Sequence, residues 1–208
     1  LRKIVTHNEQ SDQSYANFSG RHKSKVPRKA SLKSLENAAI YYLKRYASSA
    51  ANLKSVLMRR VMKSARYHGT DVEAGRGWID EVISQLQDDG YLDDRQYAET
   101  RVQSLYSRGY SSRAIRMKLA EKGVPSNVID ESLVVLLEES KNPELQAAIT
   151  TARRRKLGPY RIRGDRQKNR DRDLASLARG GFSYDIAVTV VDTKTIEELE
   201  DEFFYHHL

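Results

Sequence analysis

The sequence GYLDDRQYA at residues 90–98 contains the signals that end one helix and begin the next. Gly90 is the residue type that favours the left-handed conformation in which helices often end. Asp93 is an N-cap type, and Gln96 follows three positions later, at the spacing of a capping box. Tyr97-Ala98 then opens an apolar stripe with helical period. This stretch therefore predicts a junction between two helical units, the second of which starts here.

Downstream of the junction, apolar residues recur at three- and four-residue steps in three successive segments, which predicts three short helices. Gly109 interrupts the first segment. Either Ser111 or Ser112 caps the second, and Gly123 stands where a left-handed residue ends it. Pro125 suits the first turn of the third helix. The segment after residue 90 thus has the pattern of a small three-helix unit.

The same plan is found on both sides of this central unit. At an offset of 50 residues, Trp78-Ile79-Asp80-Glu81 aligns with Val128-Ile129-Asp130-Glu131, and at an offset of 58, Gly123 aligns with Gly181. The segment from Tyr184 to Val191 contains β-branched residues that locally favour a strand, but the repeat predicts a helix there. Repeated helical units bury together what one thin unit cannot bury alone.

We therefore predict an all-α fold, an elongated array of three tandem three-helix units with a disordered basic N-terminal tail. Glycine-proline at residues 158–159 is predicted to end the first helix of the third unit. The predicted boundaries are a tail at 1–31, repeats at 32–90, 91–140 and 141–192, and an acidic C-terminal segment at 193–208.

Composition excludes several classes of protein. The 208 residues include no cysteine, so disulfides, thiolate catalysis and sulfur-ligated zinc are excluded. No run of about 18 apolar residues and no secretory signal is present, so we expect a cytoplasmic protein without a membrane partner. The net charge of +8 favours a polyanionic partner such as nucleic acid, although solvated lysines alone would also explain it.

Catalytic patterns are absent from the sequence. Four of the five histidines lie in the terminal segments, and no glycine-rich phosphate loop is present. Asp93-Asp94 is the most suggestive acidic pair, because adjacent carboxylates can hold magnesium. The alternative is helix capping, since negative charge is favoured at a helix N-terminus. We predict capping, and therefore neither an enzyme nor a cofactor or metal.

Two basic sets are candidates for contact with phosphates. Residues 141–173 contain eleven Lys or Arg and four Asp or Glu, more cations than the dipole of one helix accounts for. The candidate residues there are Arg153, Arg154, Arg155, Lys156, Arg161, Arg163, Arg166, Lys168, Arg170 and Arg172. In the first unit they are Arg59, Arg60 and Lys63, flanked by Lys54 and Arg66, where the alternative is an ordinary solvated helix face.

The charge reverses at the end of the chain. Residues 182–208 contain one Lys and seven acidic residues. This segment either folds back on the basic surface, meets a basic partner, or forms a solvated helix with one apolar side.

Three stretches resemble the signatures of the RecX regulatory proteins: Leu43–Ser49 with the leucines that follow it, residues 90–98, and residues 108–124. The resemblance covers about residues 36–191 and is most specific between 90 and 124. Its structural motif residues are Gly90, Tyr91, Asp93, Asp94, Tyr97, Ala98, Gly109 and Gly123. This chain departs from the family in having serine at 111 or 112, at a position where many members have glycine, and in its basic tail.

The resemblance implies three tandem three-helix units without catalysis. It also implies a protein of recombination, DNA repair and the SOS response that binds the RecA recombinase filament along its groove. Such a protein restrains the ATPase and strand exchange of RecA. We expect a monomer that contacts single- and double-stranded DNA without sequence specificity. The alternatives are a helix-turn-helix-like DNA-binding protein that acts without RecA and a metal-dependent nuclease centred on Asp93 and Asp94.

Overall fold

The structure is a computed structural model that describes residues 26–139 and 142–205, with the side chains of 26–136 and 142–200. Within these ranges the chain forms ten α-helices, two short 3₁₀ turns and no strand. The helices are α1 (Leu32–Leu43), α2 (Ala50–His68), α3 (Val72–Asp88), α4 (Asp94–Tyr106), α5 (Ser112–Ala120), α6 (Ser126–Glu139), α7 (Pro143–Arg155), α8 (Arg170–Arg179), α9 (Tyr184–Asp192) and α10 (Ile196–Tyr205). The 3₁₀ turns are Gly158–Tyr160 and Gln167–Asn169.

The helices form three units, each around its own apolar core. Unit 1 comprises α1–α3, unit 2 comprises α4–α6, and unit 3 comprises α7–α9 with α10 packed against them. The predicted all-α array of three tandem units is confirmed. The segment that begins at Tyr184 is a helix, as the repeat predicted, because Ala187, Val190 and Val191 together reach the core of unit 3.

The junction at residues 90–98 has the predicted turn and N-cap, without the return bond from the Gln96 side chain that would complete a capping box. Gly90 adopts a left-handed φ of 73°. The carboxylate of Asp93 caps α4 by accepting the N–H groups of Arg95 and Gln96 at 2.8 and 3.1 Å. Tyr97 and Ala98 then enter the core of unit 2. The cap and the turn therefore mark the start of this unit, as the sequence predicts.

Two helix boundaries, the end of α7 and the start of α6, differ from the prediction. α7 ends at Arg155, three residues before Gly158, and Lys156 adopts a left-handed φ of 58°. Gly158 has another role, because a Cβ at that position would lie 2.9 Å from the carbonyl oxygen of Val190. Close packing of the 3₁₀ turn on α9 requires glycine there. Pro125 precedes α6, which begins at Ser126.

The packed core begins before the predicted tail boundary at residue 31. Ala30 is buried in unit 1, and its N–H donates to the hydroxyl of Ser64 at 2.8 Å. The ring of His68 lies 2.6 Å from the carbonyl oxygen of Pro27. These contacts join residues far apart in sequence, so local patterns do not reveal them. Residues 1–25 of the predicted tail lie outside the described part of the chain.

Units 1 and 2 meet where α2 begins. Ser49 caps α2, and its hydroxyl also donates to the carbonyl oxygen of Lys122 at the end of α5. The first N–H of α2, from Ala50, is accepted by the carboxylate of Asp94 at 2.7 Å. A Cβ at Gly123 would overlap the Cβ of Ala51. Three kinds of contact therefore hold the N-terminus of α2 on unit 2.

Units 2 and 3 meet in the same way where α5 begins. Ser111 caps α5, and its hydroxyl donates to the carbonyl oxygen of Gly180 at 2.7 Å. The first N–H of α5, from Ser112, is accepted by the carboxylate of Glu144 at 2.6 Å. A Cβ at Gly181 would lie 2.6 Å from the Ser111 hydroxyl. Both joints therefore use a capping serine, a carboxylate and a glycine.

The position of α5 determines the arrangement of the units. Its C-terminal end contacts unit 1 and its N-terminal end contacts unit 3. The helix has nine residues and is therefore about 13 Å long, so its two ends face different neighbours. Units 1 and 3 consequently lie at opposite ends of one helix of unit 2, which is the geometry of a linear array.

Candidate nucleic-acid interface

The largest cluster of exposed cations in unit 3 surrounds a pocket of about 580 Å³. The end of α7, the loop after the first 3₁₀ turn and one face of α8 form its walls. Its cationic residues are Arg155, Lys156, Arg161, Arg163, Arg172 and Arg179, and the acidic residue is Asp173. We call these seven residues the unit 3 pocket. A concave surface with this excess of positive charge is suited to an anion.

Asp173 is buried at the base of the pocket and bonds to two other segments that form it. It is 1% exposed, and its carboxylate accepts the N–H of Gly158 at 2.9 Å and the Nε–H of Arg161 at 3.2 Å. A second guanidinium nitrogen of Arg161 completes the ion pair. A buried carboxylate requires such partners, because an unpaired charge in the interior is very costly. Arg161 is thus a structural residue that neutralises Asp173, although it was predicted as a phosphate contact.

The remaining cations of the pocket are available to pair with a ligand. Within the described part of the chain, the side chains of Lys156, Arg163, Arg172 and Arg179 form no ion pair and are exposed. Arg155 donates only to neutral groups, the carbonyl and hydroxyl oxygens of one serine at 3.3 and 3.2 Å. An anion in the pocket would therefore meet several guanidinium and ammonium groups that no carboxylate already neutralises.

Arg179 is the cation of this pocket that sequence reasoning missed. It lies outside the basic segment 141–173, after several apolar residues of α8. Arg172, Ser176 and Arg179 are spaced four and three residues apart, which places them on one helix face. This spacing is visible in the sequence, and it could have identified Arg179 as a neighbour of Arg172.

Two predicted residues at the end of α7 face away from the pocket. Arg153 pairs with Glu200 of α10 and lies with its guanidinium carbon 5.5 Å from the ring centroid of Tyr160. Hydrogen bonds to Tyr160 and Glu200 raise the pKa of Arg153. Arg154 donates to the carbonyl oxygen of Arg108 in unit 2 at 2.6 Å. Arg153 therefore anchors the acidic C-terminal helix, and Arg154 joins two units.

The acidic end of the chain thus folds back at one point. Leu199 is fully buried in the core of unit 3, and Glu200 beside it reaches Arg153. The sequence left three alternatives open for this segment: folding back on the basic surface, meeting a basic partner, or forming a helix with one apolar side. Its described side chains belong to a helix whose apolar side is buried and which contacts one basic residue.

The predicted residues nearest α8 and α9 are also committed to internal contacts. Arg166 donates to the carbonyl oxygens of Val191 and Lys194 at 2.5 and 2.8 Å, at the C-terminal end of α9. Arg170 forms two hydrogen bonds of 2.7 Å with Asp192, and this pairing lowers the pKa of that carboxyl. Lys168, in the second 3₁₀ turn, is exposed. The structure therefore separates the predicted basic set into free and engaged cations.

The predicted set in unit 1 lies along one groove. Arg59, Arg60 and Lys63 are exposed on α2, where they line a groove of about 810 Å³ between α1 and α2. Arg28 joins them from the chain before α1, and Tyr41 of α1 forms part of the wall. We call this the unit 1 groove. Arg28 belonged to the predicted tail and was not assigned to this set.

The flanking residues of that set lie elsewhere. Lys54 pairs with Asp80 of α3. Arg66 lines a neighbouring depression with Met58 and Met62, and this depression shares Arg59 and Lys63 with the unit 1 groove. Neither contributes to the unit 1 groove.

Asp93 and Asp94 both serve as caps. Asp93 caps its own helix, whereas Asp94 reaches back to cap α2 in the preceding unit. Their carboxylates accept backbone N–H groups, and the two caps belong to different helices. In the part of the chain that the structure covers, no cluster of three or more His, Cys, Asp or Glu residues has the arrangement of a metal site. Across residues 26–139 and 142–205, no helix is both long and apolar enough to cross a bilayer.

Comparison with known proteins places this architecture in a family. The family model for RecX, second three-helix domain, matches residues 93–133. The regulatory protein RecX of Myxococcus xanthus is 43% identical over 170 residues, which cover 81% of this chain and 90% of that protein. The regulatory protein RecX of Agrobacterium fabrum is 30% identical over 184 residues, which cover 88% of this chain and 95% of that one.

Solved structures agree on the fold. The crystal structure of RecX from Lactobacillus salivarius matches with a TM-score of 0.57 and 22% identity, over 81% of this chain and 96% of that chain. A second crystal structure of a regulatory protein RecX matches with a TM-score of 0.54 and 17% identity, over 78% of this chain and 72% of that one. With identity to two relatives across nearly their full length, and with the motif at residues 90–98 at the junction of units 1 and 2, the chain belongs to the RecX family of regulatory proteins.

Proposed function

We propose that this protein is a non-enzymatic, cytoplasmic regulator that binds the RecA–DNA filament as a monomer and restrains the ATPase and strand exchange of RecA. The observation that carries the proposal is the unit 3 pocket, in which Lys156, Arg163, Arg172 and Arg179 are exposed and lack acidic partners in the described chain. In a member of a regulatory family, such a site suits the phosphates of the DNA that a filament holds.

The chemistry of the pocket favours binding without sequence specificity. Contacts between basic side chains and phosphates position a protein on nucleic acid but do not read its bases. The sequence left open a helix-turn-helix mode, in which the N-terminal residues of a recognition helix contact base edges. The N-termini of α2 and α5 are both packed against a neighbouring unit through Ser49 and Ser111. This packing argues against either helix entering a groove in that way.

The linear arrangement supports the filament as the partner. The same joint, built from a serine, a carboxylate and a glycine, connects unit 1 to unit 2 and unit 2 to unit 3. Repetition of one joint gives an extended surface, which is the shape that repeat proteins use for long partners. A protein of this shape contacts several consecutive subunits of a filament, and this allows it to act at a ratio well below one per RecA.

The decisive experiment measures the DNA-dependent ATPase of RecA while this protein is added far below the RecA concentration. We expect the ATPase rate to fall, and a triple variant Arg163→Gln, Arg172→Gln, Arg179→Gln to lose most of this effect. The matched control changes Lys44, Arg108 and Lys122 to Gln, which removes the same charge from exposed side chains outside the pocket. An unchanged ATPase rate with the unmodified protein would contradict the proposal.

Arg153 and Arg154 are poor choices for this test, although the basic run suggests them. Each holds an internal contact, with Glu200 and with the carbonyl oxygen of Arg108 respectively. Reversing their charge would disturb α10 and the joint between units 2 and 3, so lost activity would not identify a binding site.

A further inference from the structure

The unit 1 groove differs from the unit 3 pocket in its aromatic wall. Arg28, Arg59, Arg60 and Lys63 supply its charge, and none of the groove residues is acidic. Tyr41 lies among them and is 55% exposed. The unit 3 pocket, in contrast, has no aromatic residue in its wall. The two basic sites therefore present different chemistry to a nucleic acid.

Part of the groove lies on additional turns of α2, which is longer than the second helices of the other units. α2 has 19 residues, whereas α5 has nine and α8 has ten. Arg60 and Lys63 lie in the additional turns, beyond the tenth residue of α2. Val61 and Ser64 of the same turns face inward, so the additional turns are packed on unit 1. Units 2 and 3 have no counterpart of this basic helix extension.

The chain that leads into α1 forms part of the groove wall. The N–H of Ala30 donates to Ser64 at 2.8 Å, and Ser64 in turn lies 2.6 Å from the hydroxyl of Thr70. This buried polar cluster fixes the segment against α2. Arg28, two residues earlier, is thereby held at the groove, opposite the cations of α2.

Tyr41 is oriented by a neighbour on its own helix. The guanidinium carbon of Arg45 lies 4.4 Å from the centroid of the Tyr41 ring, a cation–π geometry. Ser34, Ala38 and Tyr41 follow one another at steps of four and three residues, and all three line the groove. The face of α1 that meets the groove thus ends in an aromatic ring beside the cations of α2.

We infer that the unit 1 groove binds single-stranded nucleic acid, with an unpaired base stacked at Tyr41 and phosphates held by Arg59, Arg60 and Lys63. This inference rests on the proposed function in that it requires the chain to bind nucleic acid. Proteins that bind single strands combine a basic groove with aromatic side chains on which bases stack. In a duplex the bases are already stacked and paired, so a duplex offers this groove only its phosphates.

The two basic sites should therefore differ in the form of nucleic acid that they bind. The unit 3 pocket takes phosphates of single or double strands, because it lacks a ring on which a base can stack. The unit 1 groove favours an unpaired strand, because part of its binding energy comes from a base. Their combination allows the protein to distinguish single-stranded from duplex segments of its nucleic-acid partner.

The test compares the full-length protein and its variants for affinity to three oligonucleotides of equal length: a single strand, its duplex, and an abasic strand with the same phosphates. Fluorescence anisotropy gives each dissociation constant. We expect Tyr41→Ala to weaken single-strand binding by about 5- to 150-fold, which is the range that loss of one stacked base corresponds to. Binding of the duplex and of the abasic strand should change less than about twofold.

Two further variants separate stacking from folding. Tyr41→Phe retains the ring and should bind the single strand like the unmodified protein. Tyr91→Ala removes a tyrosine that is 72% exposed but outside the groove, and it should also bind normally. Arg60→Gln with Lys63→Gln should weaken the single strand and the abasic strand equally, because these residues contact phosphates.

The outcomes are distinguishable from failure of the proposed function. If the unmodified protein binds single and abasic strands equally well, or if Tyr41→Ala leaves single-strand affinity unchanged, the stacking inference is overturned while DNA binding stands. If the unmodified protein binds none of the three, both are overturned. An RNA strand of the same sequence identifies the source of the ligand: equal affinity indicates recognition of base and phosphate only, and a preference indicates that the sugar is also read.

Discussion

The hydroxyl of Ser111 connects two units through one oxygen atom, accepting the N–H of Ala114 at 3.2 Å and donating to the carbonyl oxygen of Gly180 at 2.7 Å. The first contact caps α5 within unit 2, and the second binds the end of α8 in unit 3. Ser49 has the same two roles between units 1 and 2. One serine side chain thus caps a helix and also bonds to the next unit. Each unit is therefore most stable when the next is folded beside it.

Replacement of this serine should therefore cost more than the loss of a cap. For Ser111→Ala we expect about 1 kcal/mol for the cap and about 1–3 kcal/mol more for the unsatisfied carbonyl of Gly180. Ser183→Ala is the matched control, because Ser183 caps α9 through a local bond to the N–H of Ile186 and is exposed. Urea denaturation measures both. Equal losses in the two variants would show that the contact with Gly180 contributes nothing.

Gly123 should be sensitive to an added methyl group for a reason that Gly69 does not share. Both adopt positive φ, 71° and 63°, so alanine at either position is strained by about 1–2 kcal/mol. At Gly123 the new Cβ also overlaps Ala51 of unit 1, whereas at Gly69 nothing lies within 4 Å. We expect Gly123→Ala to lose about 1–3 kcal/mol more of unfolding free energy than Gly69→Ala.

A double-mutant cycle checks the cause. Combining Gly123→Ala with Ala51→Gly removes the overlap, so the two changes should be less destabilising together than the sum of the single effects. Additive losses in urea denaturation would show that the two residues do not press on each other at this joint.

Loss of the Asp173 charge should destabilise the fold more than loss of an exposed acidic residue. Asp173→Asn leaves Arg161, whose side chain is only 16% exposed, without its buried counter-charge, and we expect a loss of about 3–5 kcal/mol. Asp130→Asn is the control, since its pair with Arg116 is about half exposed and should be worth less than about 1 kcal/mol. Chemical denaturation of the two variants compares the losses. A small loss at Asp173 would refute its role as the anchor of the unit 3 pocket.

The salt dependence of DNA binding should report the free cations of the unit 3 pocket. Each phosphate that a basic residue neutralises adds about 0.9 to the slope of log affinity against log salt for duplex DNA. Changing Arg163, Arg172 and Arg179 to Gln should lower the slope by up to about 3, whereas changing Lys44, Arg108 and Lys122 should leave it nearly constant. Anisotropy titrations across a range of salt concentrations measure the slope. Equal slopes in the two triple variants would place the phosphates elsewhere.

The pair formed by Arg170 and Asp192 should give stability a small dependence on acidic pH. The hydrogen bonds from Arg170 lower the pKa of Asp192 in the folded protein. A depressed folded pKa means that the contribution is present above the unfolded pKa, about 3.9, and is lost as pH falls through the folded value. Arg170→Gln should therefore be less stable than the unmodified protein near neutral pH, and the difference should shrink in acid. A difference that is independent of pH would exclude this pair as the cause.

The start and end of most helices were predictable because the signals act over a few residues. Asp93 caps α4 by accepting N–H groups two and three positions ahead, and Gly90 supplies the left-handed turn before it. The apolar period then specifies which face is buried. The helix over Tyr184–Asp192 needed one additional argument, the repeat, because its β-branched residues are locally ambiguous.

The candidate site was only partly predictable. The sequence places ten predicted cations together in unit 3, but folding brings Arg161 against Asp173, Arg166 against the end of α9, and Arg153 against Glu200. These partners lie 12 to 47 positions away along the chain. No local pattern indicates which cations will be neutralised. Arg28 likewise has no local signal, because only the fold brings it to the unit 1 groove.

What the sequence by itself determined is the set of helices, the repeated three-helix plan and the family motif, since caps, glycines and apolar periods act between residues a few positions apart. What only the tertiary structure decided is the use of each charged residue. Asp94 resembled half of a metal pair, yet its carboxylate caps Ala50 of the preceding unit at 2.7 Å. Charge acts through space, so whether a cation is free to meet a phosphate depends on which carboxylate or carbonyl the fold brings within hydrogen-bonding distance.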